Sequence, residues 1–411
     1  MFTFYNLIVH ISWFFLKIMA PFSGKMKLFV QGRKQALAVL RERILETDRV
    51  FWMHAASLGE FEQGLPIVEK LKVAYPSHKF LITFFSPSGY EVKKNTQVAD
   101  IVTYLPMDTR ENVASFLQIV RPELAIFVKY EIWPNYLKAL KDKKIPTVLI
   151  SALFKKKQIY FKGYGGFMRN SLRSFSHIFV QNDTSEALLK SIGIAQVTVS
   201  GDTRLDRVSE ILERDNTLDF MDIFKKDKLC FVAGSTWPED ESILIDYINH
   251  APKRLKYVLA PHTIKKDKIL GLAGSLTKKT VLYSKMDLDS LGDYEVLIVD
   301  HIGVLTKIYH YADIAYVGGA FATGLHNTME PAVFGIPVII GPQYSGFREA
   351  EELVSKKGII SITDKWGFGE VMKKMLDDPE FRRKTGLINA YYISENKGAS
   401  IQIMDRLRTL L

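Results

Sequence analysis

The residues able to do chemistry sit in short stretches, each placed where a strand pattern gives way to a helix pattern. His54 to Glu60 sets Ser57 and Glu60 at the spacing S-x-x-E. That spacing suits a capping box, in which Glu60 reaches back to an N-cap amide. It equally suits a catalytic site, in which Gly59 permits a tight turn, helix amides form an anion site and Glu60 acts as a general base. From Gly234 to Glu241, Gly234 and Ser235 leave room for a phosphate at a helix N-terminus, while Thr236 and Glu239 repeat the capping spacing. His262 follows Pro261 at a strand end and suits a phosphate or a nucleobase, although a lone histidine is more often structural. Tyr316 to Pro342 is the densest stretch. Gly318-Gly319 and Gly324 lead to Asn327, a short helix expected over 328–334, and Gly335 as its stop. Asn327 and Glu330 resemble another capping pair, and Glu330 also suits the diol of a ribose.

The elements that must place these residues follow from apolar periodicity. Strands are expected over 49–56, 79–86, 100–106, 123–129, 147–151 and 177–181, with helical patterns between most of them and a closing segment over 197–208. A polar stretch, 209–228, reads as a crossing. A second series follows at 229–235, 256–262, 296–300, 313–319 and 336–342, and 388–411 reads as a helix. This alternation predicts two α/β, doubly wound domains facing a central cleft, with sites at the carboxyl ends of the strands. The expected organisation is an anchor over 1–30, a first domain over 31–208 and a second over 209–390. A terminal helix over 391–411 is expected to pack back on the first domain.

The chain has 411 residues, 47% hydrophobic and 24% charged, which excludes a disordered or collagen-like protein. Its single cysteine, Cys230, excludes an intramolecular disulfide and a cysteine-based zinc site. Lys and Arg exceed Asp and Glu by 55 to 45, a net +10 that favours an anionic partner. The bias is strongest at the start, where Lys17, Lys25, Lys27, Arg33, Lys34 and Arg41 precede the first acid, Glu42. Residues 1–22 are the most apolar run, interrupted by Asn6, His10 and Lys17. Apolar residues beside a basic flank suit a helix on an anionic membrane surface. If the run instead spans, the flank keeps the body cytoplasmic. The alternative is a core helix packed on the first domain. Markers of P-loop NTPases, zincins, α/β-hydrolases and classical dinucleotide folds are absent, and net charge alone is no sign of nucleic-acid binding.

Seven motifs in one order resemble the Kdo transferases of Gram-negative bacteria (Kdo is 3-deoxy-D-manno-octulosonic acid). These are HAASLGE at 54–60, TFFSPSGYE at 83–91, YEIWPN at 130–135, SGDTRLDRV at 200–208, GSTW at 234–237, D-x-x-G-x-L at Asp300 to Leu305, and G-x-H-N-x-x-E at Gly324 to Glu330. The chain departs from the family pattern at Lys129, His262, Ile302, Val304 and Leu325. The resemblance implies a GT-B fold of two Rossmann-like domains with an N-terminal membrane-associated helix. It implies inverting transfer of Kdo from CMP-Kdo to a lipid A precursor of the lipid IVA type, with no cofactor and no metal. The implied place is the cytoplasmic face of the inner membrane, on its anionic surface, with no nucleic acid as partner. Glu60 is the implied base. Gly234, Ser235, Thr236, Pro261, His262, Ile302, Gly303, Gly324, Asn327 and Glu330 fall on the donor side. Ser57, Gly59, Glu131 and Arg204 fall on the acceptor or sugar-carboxylate side. Helix amides near Ser235-Thr236 and Asn327 are expected to offset the leaving charge. Either the amides from Ser57 to Gly59 or Arg204 would meet the Kdo carboxylate. A transferase using a UDP-sugar on a lipid acceptor is the alternative.

Overall fold

Runs rich in Val, Ile, Leu and Phe become strands buried on both faces, as parallel sheets covered by helices require. A computed structural model describes residues 1–252, 254–322 and 324–411; Thr323, inside one of the glycine-rich motifs, lies outside them. The chain divides into two units, Met1–Asp206 with Lys397–Leu411, and Arg207–Asn396.

The first unit holds seven strands: β1 (Val50–Ala55), β2 (Lys79–Phe84), β3 (Ile101–Tyr104), β4 (Pro122–Val128), β5 (Thr147–Ala152), β6 (His177–Val180) and β7 (Val197–Val199). All pairs are parallel, in the order β3-β2-β1-β4-β5-β6-β7. The order reverses between β1 and β4, which opens a crevice beyond their carboxyl ends. The second unit holds β8 (Leu229–Thr236), β9 (Leu255–Pro261), β10 (Thr280–Leu282), β11 (Val296–Ile298), β12 (Ile314–Val317), β13 (Val338–Ile340) and β14 (Ile359–Ser361). Their order is β10-β11-β9-β8-β12-β13-β14, again parallel, with the reversal between β8 and β12. The sheets are those of the GT-B type. The three-residue strands β10 and β14 were not expected.

Two helices open the chain, α1 (Phe2–Met19) and α2 (Gly24–Arg43), with Ser23 capping α2. One face of α1 packs through Tyr5, Val9, Trp13, Leu16 and Ala20 onto Phe29, Val30, Phe85 and Met107. Tyr5 donates to Asp108 at 2.7 Å, and Asn6 and Asn135 bond side chain to side chain. The other face leaves Phe4, Leu7, Ile11, Phe14, Phe15 and Ile18 exposed. Phe2–Phe22 is long and apolar enough to cross a membrane by length and composition.

The expected helix over 388–411 is two helices, Pro379–Asn396 and Ala399–Leu410. Gly398 separates them at φ +108°, a conformation open to glycine. The Asp206 carboxylate accepts the amides of Gly398 and Ser400, which fastens the start of the last helix. Its Ile403, Met404 and Leu407 then bury in the core beside Leu65, Val68 and Leu71 of α3 (Leu58–Ala74). The polar stretch 209–228 includes a helix, Asp219–Lys225, within the second unit.

Candidate active site

In the first unit the switch point brings two acids to neighbouring strand ends. β1 leads through Ala56 and Ser57 into α3, with Ser57 as N-cap and Glu60 in the first turn. The capping box is not formed, because the Ser57 hydroxyl makes no cap bond and donates instead to Glu60 Oε2. Gly59 does not make a tight turn either. It lies in the helix with a negative φ, and an added Cβ would meet nothing closer than Ser57 Oγ at 3.9 Å. Burial and the nearby Glu60 charge both raise the Tyr130 phenol.

β4 is followed by Lys129, whose φ of +63° turns the chain sharply. Glu131 follows, then Trp133 as N-cap of the helix we label α4 (Pro134–Asp142). Glu131 Oε2 lies 3.0 Å from His54 Nε2 and accepts the Trp133 indole N–H at 2.9 Å. His54 is fully buried, and its Nδ1 sits 2.9 Å from Thr83 Oγ1. Sequence reasoning missed His54. The signal was its place on β1, directly beside the strand that leads to Glu131. Asp108 holds this region from below, accepting the amides of Asn135 and Tyr136 at 3.1 and 3.0 Å. Burial pushes its carboxyl up to about 6 against the lowering effect of those bonds. Arg204 is engaged by Asp202, 2.7 Å away. Burial opposes ionisation of Asp202, but the Arg204 charge and hydrogen bonds outweigh it and hold the carboxyl low.

In the second unit β8 bulges at its end, where Ser235 takes φ +54°. Packing alone demands a glycine at 234, since a Cβ there would lie 2.0 Å from the Tyr309 hydroxyl. The expected Thr236–Glu239 cap is displaced by one residue. Pro238 takes the first helical position of Pro238–His250, so Trp237 is the N-cap and Asp240 accepts its amide at 2.9 Å. Thr236 donates to Glu241 at 3.0 Å instead. Glu239, Asp240 and Glu241 crowd this first turn, which opposes a phosphate at the helix end. Asp240 also accepts the Tyr316 hydroxyl at 2.6 Å and the Gly319 amide at 2.9 Å, tying β8 to β12. Gly319 has φ +98°, and a Cβ would strike the Gly324 carbonyl.

Around this knot the rings of Trp237 and His262 stack at 4.7 Å, and those of His262 and His326 at 4.6 Å. Trp237 Nε1 donates to His326 Nε2 at 2.9 Å, so that nitrogen is bare. Burial, then the neighbouring His262, lowers the His326 pKa, in keeping with a neutral ring. Pro261 ends β9, and His262 donates its amide to the Thr236 carbonyl. The helix expected over 328–334 is shorter, Met329–Ala332, with Thr328 as N-cap. Asn327 accepts the Met329 amide and donates to Glu330 Oε1 at 3.0 Å, while Thr306 donates to Glu330 Oε2 at 2.8 Å. Glu330 is thus held by two donors rather than used as a cap. Ile302 and Gly303 stand exposed on the loop after β11, which leads to the helix carrying Thr306 and Tyr309. Cys230 is buried, its thiol pushed up to about 12, and cannot act as a nucleophile.

Two parallel doubly wound sheets with polar clusters at their reversal points define a protein of the GT-B type. The fold is shared with UDP-GlcNAc 2-epimerase from Neisseria meningitidis, at a TM-score of 0.60 and 16% identity, covering 88% of this chain and 100% of that one. Residues 31–207 match the family model of 3-deoxy-D-manno-octulosonic-acid transferase (kdotransferase). It is 27% identical to the 3-deoxy-D-manno-octulosonic acid transferase of Chlamydophila psittaci over 86% of this chain and 83% of that protein. The enzyme of the same name from Aquifex aeolicus is 29% identical, over 77% and 83%.

Proposed function

We propose that the protein transfers Kdo from CMP-Kdo to a phosphorylated lipid A precursor of the lipid IVA type, with inversion and without a metal. The observation that carries this reading is the position of Glu60. It lies in the first turn after β1 at the sheet's switch point, inside the domain that matches the Kdo transferase family. Glu60 removes the proton of an acceptor hydroxyl, whose oxygen bonds to the anomeric carbon of Kdo as the bond to CMP breaks on the opposite face. The Ser57 hydroxyl orients that carboxylate. On the donor side, Glu330 is preset by Thr306 and Asn327 to receive the ribose diol. The acidic first turn of Pro238–His250 shifts the phosphate away from that helix end, towards Ser235 and the loop of Ile302 and Gly303.

The exposed face of α1 supports attachment to the anionic cytoplasmic face of the inner membrane. Tyr5 and Asn6 bind Asp108 and Asn135 of the body, which supports α1 lying along the membrane surface rather than across it. Purified protein given CMP-Kdo generated in situ and lipid A precursor should form a Kdo-bearing lipid and release CMP. Turnover with a UDP-sugar but not with CMP-Kdo would reject the reading.

A further inference from the structure

The hydrogen bonds through His54 run in one direction. The Trp52 indole N–H can only donate, and it donates to Thr83 Oγ1 at 2.8 Å. Thr83 therefore has its own hydroxyl proton to give, and His54 Nδ1 lies 2.9 Å away. On the other side of the ring, Glu131 Oε2 is 3.0 Å from Nε2, and a carboxylate only accepts. Nε2 must carry a proton. That holds for the neutral ring and for the doubly protonated one, whose second proton would face the Thr83 carbonyl at 3.0 Å. Trp133 brings a second N–H to the same carboxylate oxygen at 2.9 Å. Glu131 Oε1 has no hydrogen-bond partner among the described residues, and the side chain keeps 13% of its surface open.

We propose that His54 is a positioning residue. With Trp133 it saturates Oε2 of Glu131 and so aims Oε1 at a hydroxyl of the sugar acceptor. The proposal rests on the transferase reading above. Glu60 supplies the base, and Glu131, one strand away across the switch point, orients the acceptor for it. The buried chain from Trp52 to Trp133 prevents Glu131 from adopting other rotamers.

His54→Asn keeps a polar group facing Thr83 but falls short of Glu131, whereas His54→Gln returns an N–H near the Nε2 position. In steady-state assays on the full chain, His54→Asn should raise the acceptor KM roughly tenfold or more, the loss expected for one hydrogen bond to a charged group. The donor KM should stay within about twofold, since the donor contacts lie elsewhere. His54→Gln should recover most of the loss, and His54→Asn should add nothing in a Glu131→Gln background. An unchanged acceptor KM in folded His54→Asn, or effects that multiply in the double variant, overturns the proposal. If the parent transfers no Kdo, the transferase reading fails on its own. If His54→Asn does not fold, the 15N resonances of His54 in the parent decide. A proton on Nε2 supports the proposal and a bare Nε2 overturns it.

Discussion

Glu60 and Ser57 were legible as a pair from their spacing, but their relation was not, because S-x-x-E serves both a cap and a catalytic carboxylate. The structure shows no reciprocal cap: the Ser57 hydroxyl bonds the carboxylate itself rather than a helix amide. Glu60→Gln should therefore leave folding and CMP binding intact and slow transfer about 10²–10⁴-fold, measured in single turnover. A rate within a few-fold of the parent would mean that the base lies elsewhere. Ser57→Ala should cost rate more than stability, since it releases the carboxylate while no cap bond is lost. The link from His54 to Glu131 was invisible because 77 residues separate the two, and only the pairing of β1 with β4 joins them. The cap at Thr236 was misplaced for a local reason, the proline at 238. Asp108 offers a further test. Its folded pKa, about 6, stands above the ordinary aspartate value of 3.8 because burial disfavours the charge. The folded state is thus favoured by this group below about pH 4 and loses that advantage as pH rises through 6, on the order of 3 kcal/mol. Urea titrations from pH 4 to 7 should show this decline in the parent and a flatter profile in Asp108→Asn. Equal slopes would show that Asp108 is not the group responsible.

The two faces of α1 make different demands. Residues at spacings of three and four, Tyr5, Val9, Trp13 and Leu16, continued by Ala20 just beyond α1, cover the body, and Phe4, Leu7, Ile8, Ile11, Phe14, Phe15 and Ile18 face outward. The sequence announced an apolar helix with a basic flank, yet a helix apolar on every side does not say which face docks. Only the partners Asp108 and Asn135, more than a hundred residues away, settle that. Deleting α1 would uncover Phe29 and Met107, so loss of membrane binding in such a truncation would be confounded by misfolding. Phe14→Ser with Phe15→Ser changes only the outward face. The pair should weaken binding to anionic vesicles roughly tenfold or more, with an unchanged melting temperature. Undiminished vesicle binding would mean that this face does not meet the bilayer. The strands were the most legible elements, because burial on both sides writes a continuous apolar run. β10 and β14 are edge strands, only partly buried, and leave no such run.

At the scale of the molecule, the alternation of strands and helices revealed two doubly wound halves, and the terminal helix expected to pack back on the first of them lies in that unit from Lys397 onward. The polar carboxylate that fastens it, Asp206, lies 194 residues before Ser400. Removing residues 397–411 should strip Ile403, Met404 and Leu407 from the core on α3. At about 1.5–3 kcal/mol for each large apolar side chain, the loss rivals the whole stability of a typical domain. Such a protein should be insoluble or melt far below the parent in calorimetry, and parent-like melting would contradict the packing described. The return of the chain also bears on biogenesis. As the polypeptide leaves the ribosome, the first unit emerges early yet lacks its closing helix until the whole second unit has been made. Throughout that interval a greasy strip on α3 and the outward face of α1 are both uncovered on the nascent chain. A chaperone or the bilayer itself has reason to hold the unfinished protein, and an interruption just before that helix would strand it in that state.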